Sequence, residues 1–498
     1  MLMAQQRASI AGRRLAGTGI AVLALVLGAC SVNLPATAPQ ASLAAPSPSP
    51  PPMSPAELRE HQRILAAYGG VYDNPQVQAM VAQLVERLVA ASERPDLHYQ
   101  VTILNSDSVN AFALPTGRLY VTRGLIALAN DESELAAVIG HEMGHVIARH
   151  AELREEEVRD TELSNRVFSD LVNDPQASAL ALARSKLTLA SFSQKQELEA
   201  DAIGIGIAAR AGYDPYGSVR FLASLERNSD LKPRAGGAIN PATPDFLSSH
   251  PATPERITHA LAVAGQYKPA AADSPQQLAE ARDAYLAKID GMVFGDDPSE
   301  GLVRGRRFLH PRLGFTFTAP DGFVLDNTAQ AVLGVKRGGD TALRLDVVHV
   351  PAEQTLSAYL SSGWIENIDP TSVHDVTING FPGATATAKG DNWDFRLYAI
   401  RFGSDVYRFI FASKNLSADS DRTFRECVDS FRRMTLAEMK EAKPAHLKVV
   451  KVAPGDTVEK LASHMAVPDR QVERFRVLNG LDPADRLKPG SEVKIVVE

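Results

Sequence analysis

The segment His141-Glu142-Met143-Gly144-His145 has the residue types and the spacing of a metal site on a helix. Residues four positions apart lie only about 40° apart around an α-helix, so both imidazoles can bind one zinc ion. Glu142 lies about 100° from His141, which is too far to join the ligands but suits contact with a metal-bound water. The pattern predicts His141 and His145 as zinc ligands and Glu142 as the general base of a hydrolytic reaction.

A second acidic segment, Glu197-Leu198-Glu199-Ala200-Asp201, offers the third ligand that such a site needs. Hydrolytic zinc sites take three protein ligands and keep one position for water, so we expect Glu197 to complete a His/His/Glu set that holds one Zn²⁺ per chain. Asp201 stands one helical turn further on. We expect it to accept a hydrogen bond from a ligand imidazole, which fixes the tautomer of that ring. Glu199 is expected to face solvent.

The elements that must position these residues are predicted from the spacing of apolar side chains. Residues 56–265 are helix-rich with one short β region, and strands are expected at 98–104 and 118–122. The motif helix is expected to begin at Asp131, which together with Glu134 has the spacing of a capping box. The pattern therefore predicts a mainly α domain of α+β type around the candidate metal site.

Two further segments stand in the order found in a known family. Residues 109–115, Val-Asn-Ala-Phe-Ala-Leu-Pro, with Gly117, precede the motif helix, and residues 249–256, Ser-His-Pro-Ala-Thr-Pro-Glu-Arg, follow the acidic segment. With the HExxH and ExxAD motifs they resemble the gluzincin metalloproteases related to HtpX, BepA and the CAAX prenyl proteases. The resemblance implies a zincin-like fold and a zinc metalloendopeptidase. Gln194 departs from the pattern, since many relatives carry Arg there.

The resemblance implies roles for residues outside the zinc set. In the family the segment before the motif helix is an edge strand that pairs with an extended substrate. Here that strand comprises Asn110, Ala111, Phe112 and Ala113. His250 is implied either to occupy the open zinc position in a resting state or to assist the transition state, with an ordinary loop histidine as the alternative. For Arg256, oxyanion stabilisation and a structural cation remain equal alternatives.

The remaining histidines have no ligand spacing. Of the twelve histidines in the chain, only His141 and His145 are spaced as ligands on one helix. His150 comes five positions after His145 and falls about 180° from His141 on a continuous helix. We therefore expect it to face away from the metal.

The N-terminus has the pattern of a lipoprotein export signal. Three arginines precede an apolar stretch at 15–29 that is too short to span a bilayer comfortably, and the stretch ends in Leu-Gly-Ala-Cys, which resembles the bacterial lipobox. The pattern predicts a signal peptide over 1–29 and lipid attachment at Cys30, with an ordinary secretory peptide as the alternative. Ser31 in place of Asp favours the periplasmic leaflet of the outer membrane.

The rest of the chain divides by composition. Residues 30–55 are rich in Pro, Ala and Ser and are expected to form an extended tether, and residues 266–300 are expected to form a helical linker. Residues 301–437 alternate like strands, which predicts an α+β sandwich-like domain, and they resemble the PsbP/Mog-like proteins. No motif in that domain indicates a catalytic or binding function.

The last segment, residues 446–498, resembles a LysM module of βααβ form. The resemblance rests on the Pro-Gly-Asp-Thr turn at 454–457, on Leu-Asn-Gly-Leu at 478–481 and on Lys-Pro-Gly at 488–490. LysM modules bind glycans that contain N-acetylglucosamine, which implies peptidoglycan as a partner. The alternative is a small structural module without a ligand.

Length and charge limit the remaining functions. A chain of 498 residues exceeds one hydrophobic core, and 52 Lys+Arg against 59 Asp+Glu leave no basic stripe for nucleic acid. Three functions remain: a periplasmic endopeptidase that degrades or trims misfolded or unassembled envelope proteins, a latent protease that acts mainly as a chaperone or assembly factor, and a peptidoglycan-binding scaffold. The intact ligand set and general base favour the endopeptidase.

Overall fold

The computed structural model describes residues 53–154, 156, 192–231, 246–267, 275–336, 338–390 and 392–498. The predicted signal peptide, Cys30 and almost all of the predicted tether lie outside these residues. Within the described ranges, no helix is long and apolar enough to cross a membrane. The architecture is multidomain α+β, with a helical domain that carries the HExxH motif and several β-sheets.

The helical domain opens with two helices, a small sheet and the motif helix. Its elements are α1 (Pro55–Ala67), α2 (Pro75–Ala91), β1 (Gln100–Leu104), β2 (Ala111–Leu114), β3 (Arg118–Thr122), α3 (Arg123–Leu128) and α4 (Glu132–Ile147). The sheet has the order β1-β3-β2, in which β1 is parallel and β2 antiparallel to β3. The two strands and the motif helix predicted from sequence are confirmed, and β2 lies at the sheet edge.

The motif helix is capped at its N-terminus, although not by a reciprocal capping box. The Asp131 carboxylate accepts a hydrogen bond from the Glu134 backbone N–H at 2.8 Å. The Glu134 carboxylate accepts from the backbone N–H of Asn130 rather than from that of Asp131. The capping-box prediction is therefore wrong in its second half, because the glutamate reaches one residue further back.

The described residues of this domain also form the helices α5 (Gln194–Arg210), α6 (Gly217–Leu231), α7 (Phe246–Ser249) and α8 (Pro254–Ala264). Helices α4 and α5 cross at very short distance because glycines meet at the crossing. A Cβ atom added to Gly204 would lie 2.5 Å from the backbone N of His141, and one added to Gly144 would lie 2.8 Å from the carbonyl O of Ala200. The missing side chains therefore let the histidines of α4 approach the acidic residues of α5.

A β-rich region follows. It begins with α9 (Pro275–Ile289) and β4 (Val293–Phe294) and contains the elements β5 (Leu302–Arg304), β6 (Arg307–His310), β7 (Phe315–Thr318), β8 (Phe323–Asn327), β9 (Ala331–Lys336), β10 (Thr341–Val348), α10 (Leu356–Leu360), β11 (His374–Ile378), β12 (Phe381–Lys389), β13 (Asp394–Phe402), β14 (Asp405–Ser413), α11 (Ala418–Asp429) and β15 (Arg432–Arg433). Its sheets have the orders β11-β12-β13-β14-β10-β9-β8 and β15-β7-β6-β5. Buried aromatic rings, among them Phe317 and Phe409, fill its core.

The C-terminal segment has the predicted order of strand, helix, helix and strand. After α12 (Leu436–Glu441) come β16 (Ala445–Lys451), α13 (Val458–Ala462), α14 (Gln471–Leu478) and β17 (Glu492–Val497). Strand β16 pairs antiparallel with β17 and also with β4. The likeness of this segment to LysM modules stays a prediction.

The C-terminal segment packs directly on the helical domain. Its buried residues Phe475 and Val496 belong to the same hydrophobic core as Ile139 of the motif helix. Lys494 is fully buried, and its Nζ donates hydrogen bonds at 2.7 Å to the carbonyl oxygens of Ala127 and Ala129. These carbonyls lie at the C-terminal end of α3, where an α-helix leaves acceptors without partners.

Candidate metal centre

Four side chains converge at the crossing of α4 and α5. His141 and His145 come from α4, Glu197 comes from α5, and His250 lies in the turn between α7 and α8. One ligand atom from each residue lies within 4.8 Å of the others. All four residues are at most 5% exposed. The structure thus brings together the three predicted ligands and the histidine whose role the sequence left open.

The spacing of these atoms fits a single tetrahedral metal ion. His141 Nε2 lies 3.1 Å from His145 Nε2 and 3.3 Å from His250 Nδ1, and His250 Nδ1 lies 2.9 Å from Glu197 Oε1. Zinc bonds to nitrogen of about 2.0–2.1 Å place the corners of a tetrahedron about 3.3 Å apart. The donor set of imidazoles and one carboxylate is also the set that zinc prefers in hydrolytic sites.

Glu142 stands beside this cluster in an environment that suits proton transfer. Burial raises the pKa of its carboxyl group, and this outweighs the opposing attraction of His250. The carboxylate accepts a hydrogen bond from the backbone N–H of Ala113. Its Oε1 is buried without a hydrogen-bond partner among the described residues and lies 3.6 Å from His250 Nε2.

Electrostatics keep His145 and Glu197 in the forms that bind metal. Burial lowers the pKa of His145 to about 3, so the imidazole is neutral at physiological pH. Burial alone would raise the pKa of Glu197, but the close contacts of its carboxylate with His145 and His250 outweigh burial and hold that pKa well below the ordinary value. A neutral imidazole and an ionised carboxylate are the states that metal coordination requires.

Asp201 and Arg256 form the support behind the ligands. Asp201 Oδ1 lies 2.9 Å from the Nδ1 of His141. Arg256 donates from Nε and Nη2 to the two oxygens of Asp201, each at 2.8 Å, and its Nη1 lies 2.7 Å from Glu197 Oε2. Burial opposes the ionisation of Asp201, but these Arg256 hydrogen bonds lower its pKa below the ordinary value. The guanidinium is 2% exposed, and these contacts support the structural-cation alternative over the oxyanion role.

The turn that carries His250 is tied to the edge strand. The backbone N–H of Phe246 donates to the carbonyl of Val109, just before β2, and the N–H of His250 donates to the carbonyl of Phe246. The rings of Phe246 and His250 stack with centroids 4.6 Å apart. Thr253 then caps α8, with Pro254 at its first position. Short local bonds therefore fix His250 over the ligands.

The edge strand faces the cluster, but its first predicted residue is already paired. Asn110 donates its backbone N–H to Thr122 Oγ1, and its carbonyl accepts from the Thr122 N–H. In an antiparallel pair alternate residues bond the neighbour, so Phe112 also faces β3, while Ala111 and Ala113 direct their backbone groups outward. The outer edge of β2, which faces away from β3, is therefore formed by the backbone groups of Ala111 and Ala113.

His150 contradicts the expectation that it faces away from the site. It is 1% exposed, and its Nδ1 lies 3.0 Å from Nδ1 of His145. The helix ends at Ile147, and Arg149 has a left-handed backbone with φ of 56°, so His150 does not continue the helical wheel of α4. Glu199, expected in solvent, lies 3.5 Å from His150 Nε2 through a half-exposed side chain. The closely spaced third histidine was the only sequence signal for this contact.

Comparison with known proteins agrees with this geometry. Residues 75–264 match the model of peptidase family M48. The beta-barrel assembly-enhancing protease of Yersinia pestis is 32% identical over 241 residues, which are 46% of this chain and 46% of that protein. The protein of the same name from Escherichia coli K12 is 30% identical over 235 residues, 45% of each chain. The mitochondrial metalloendopeptidase OMA1 of Schizosaccharomyces pombe is 35% identical over 71 residues, 14% of this chain and 21% of that protein.

The chain thus spans less than half the length of these relatives. Among solved structures, the cyanobacterial PsbP protein (CyanoP) of Synechocystis matches with 14% identity and a TM-score of 0.20, over 28% of this chain and 98% of that one. A structure from Bacteroides thetaiotaomicron matches with 12% identity and a TM-score of 0.24, over 39% of this chain and 87% of that one. The PsbP-like prediction for residues 301–437 stays a prediction. By family match, motif and site geometry together, residues 75–264 are similar to the peptidases of family M48, and the chain is similar over nearly half its length to the beta-barrel assembly-enhancing proteases.

Proposed function

We propose that this protein is a zinc-dependent endopeptidase of the bacterial periplasm that degrades or trims misfolded or unassembled envelope proteins. One observation carries the proposal: four buried ligand atoms converge within 4.8 Å beside the buried carboxylate of Glu142. The envelope setting draws its support from relatives whose name describes the assembly of β-barrel proteins.

In this proposal His141, His145 and Glu197 hold the metal, and a bound zinc ion would lower the pKa of a water molecule toward about 7 and polarise the scissile carbonyl. Glu142 takes the proton from the attacking water and returns it to the leaving amine. Its raised pKa suits this exchange, because a general base works best when its pKa approaches the working pH.

The outer edge of β2 offers a binding surface for an extended substrate. Backbone groups of Ala111 and Ala113 point outward, and the Ala113 N–H already contacts Glu142. A peptide that adds itself as a strand would bond main chain to main chain, so the edge favours extended segments and tolerates many side chains. This preference fits unfolded proteins as substrates.

Anchoring and further binding belong to the same proposal. Lipid on Cys30 and the tether at 30–55 would hold the protease domain, 56–265, near the outer membrane. The helical linker, 266–300, leads to the α+β domain, 301–437, to which we assign no role. The LysM-like segment, 446–498, would bind peptidoglycan.

A latent state is the alternative that the geometry also favours. His250 Nδ1 lies among the ligand atoms, 3.3 Å from His141 Nε2, where a substrate carbonyl or water would otherwise approach the metal. A chain held in this state would bind unfolded clients without cutting them, as a chaperone does. Movement of the short turn between α7 and α8 would convert it to the active form.

The test is metal analysis combined with hydrolysis of casein. The chain without residues 1–29 should bind about one zinc ion and cleave casein, and a chelator should abolish cleavage. Glu142→Gln should keep the zinc and lose the cleavage, since it removes the base but no ligand. A chain without bound zinc, or a Glu142→Gln variant with wild-type activity, would contradict the proposal.

A further inference from the structure

His150 lies behind the ligand His145, on the side away from the other ligands. The two Nδ1 atoms are 3.0 Å apart, and His150 is 1% exposed. It reaches this place because the motif helix ends at Ile147 and the left-handed backbone of Arg149 changes the direction of the chain. A buried imidazole in hydrogen-bond contact with a ligand ring must either donate or accept at that contact.

The contacts of His145 determine whether His150 donates or accepts the hydrogen bond between the two rings. His145 Nε2 lies in the donor cluster, 3.1 Å from His141 Nε2 and 3.5 Å from Glu197 Oε1. A nitrogen that binds metal carries no proton, so the proton of the neutral ring is on Nδ1. His145 therefore donates to His150 Nδ1. The proton of His150 is then on Nε2, which lies 3.5 Å from Glu199 Oε2.

We propose that His150 is a positioning residue that fixes the tautomer and the ring orientation of the metal ligand His145, with Glu199 as its outer partner. The inference rests on the proposed metal site and adds to it. Asp201 Oδ1 likewise lies 2.9 Å from His141 Nδ1, so on each ligand imidazole of the motif helix a polar side chain faces the nitrogen that points away from the metal. Loss of such a partner weakens metal affinity by about 10–100-fold.

Three substitutions separate positioning from simple packing. His150→Leu keeps an apolar volume but removes the acceptor, so we expect zinc affinity to fall by about 10–100-fold in competition with a chelator. His150→Asn places Oδ1 near the position of Nδ1 and should restore affinity to within a few-fold. His310→Leu is the matched control, because His310 is also buried, at 8% exposure, but contacts the rings of Phe308 and Phe315 in the β-rich region. It should leave zinc affinity unchanged.

Spectroscopy tests the same contact without depending on zinc competition. With Co²⁺ in place of zinc, the visible absorption bands report ligand geometry, and we expect His150→Leu to alter them while His150→Asn and His310→Leu preserve them. Should His150→Leu fail to fold, histidine ring ¹⁵N shifts of the metal-loaded wild-type chain take its place. They should show His145 protonated at Nδ1 and His150 protonated at Nε2.

The outcomes separate this inference from the proposed function. A His150→Leu variant with wild-type affinity and spectrum, or a His150 protonated at Nδ1, would overturn the inference. Wild-type protein that binds no metal would overturn both. Wild-type protein that binds zinc but does not cleave casein would overturn the proposed endopeptidase activity alone, and the affinity series would still decide the role of His150.

Discussion

At the scale of single residues, the spacing of functional groups predicted which side chains come together. His141 and His145 converge because a helix fixes the angular relation of residues four apart, and Glu197 meets them from the neighbouring helix α5. The same rule failed for His150, since it assumes a helix that continues, whereas the helix here ends at Ile147. A turn through a non-glycine residue in the left-handed region has no strong sequence signal, so the position of His150 could only come from the structure.

His250 allows a prediction whose sign separates its two possible roles. If its imidazole blocks the fourth metal position, as its distance of 3.3 Å from His141 Nε2 suggests, His250→Ala should raise the rate of casein hydrolysis. Loss of a transition-state donor would instead lower the rate by about a hundredfold or more. Glu142→Gln should be inactive in both backgrounds. If the His250→Ala chain showed unchanged hydrolysis and unchanged zinc content, His250 would be an ordinary loop histidine.

At the scale of elements, periodicity predicted the regular parts well. The segment expected to form a helical linker, 266–300, contains the helix Pro275–Ile289. Apolar spacing could not show that α4 and α5 approach as closely as they do. That contact depends on small residues in two segments about sixty positions apart, and only the fold shows that Gly140 meets Gly204.

The crossing of these helices gives a second prediction. Gly204→Ala would place a Cβ 2.5 Å from the backbone N of His141, and backbone atoms on both helices leave little room to relax. We expect the variant to lose about 1–3 kcal/mol in free energy of unfolding and to bind zinc more weakly. Urea denaturation and chelator competition measure the two effects.

The control for this variant is Gly265→Ala. Gly265 has a φ of -64°, and a Cβ there would meet its nearest atom at 3.4 Å, an ordinary contact. Its stability should stay within about 0.5 kcal/mol of wild type. If Gly204→Ala proved as stable and as zinc-competent as Gly265→Ala, close helix contact would not be what assembles the ligands.

At the scale of the whole molecule, the lipobox pattern predicts where the protein is held. Cys30→Ala removes the thiol that accepts the lipid but leaves the tether sequence unchanged. We therefore expect the variant to appear unprocessed or in the soluble fraction, while wild type sediments with membranes and incorporates labelled fatty acid. Lipid labelling that persists in Cys30→Ala would show that attachment occurs elsewhere.

The contact of Lys494 with the end of α3 has a consequence for the order in which the protein matures. The donor and the carbonyl of Ala127 are 367 positions apart, and Leu447 and Val496 share the core of the motif helix. During synthesis the metal-binding segments emerge first, but the apolar surface on which they rest stays open until residue 494 has been made. Assembly of the metal site is therefore delayed during translation. A nascent or prematurely terminated chain carries the ligand residues without the finished core that holds them in position.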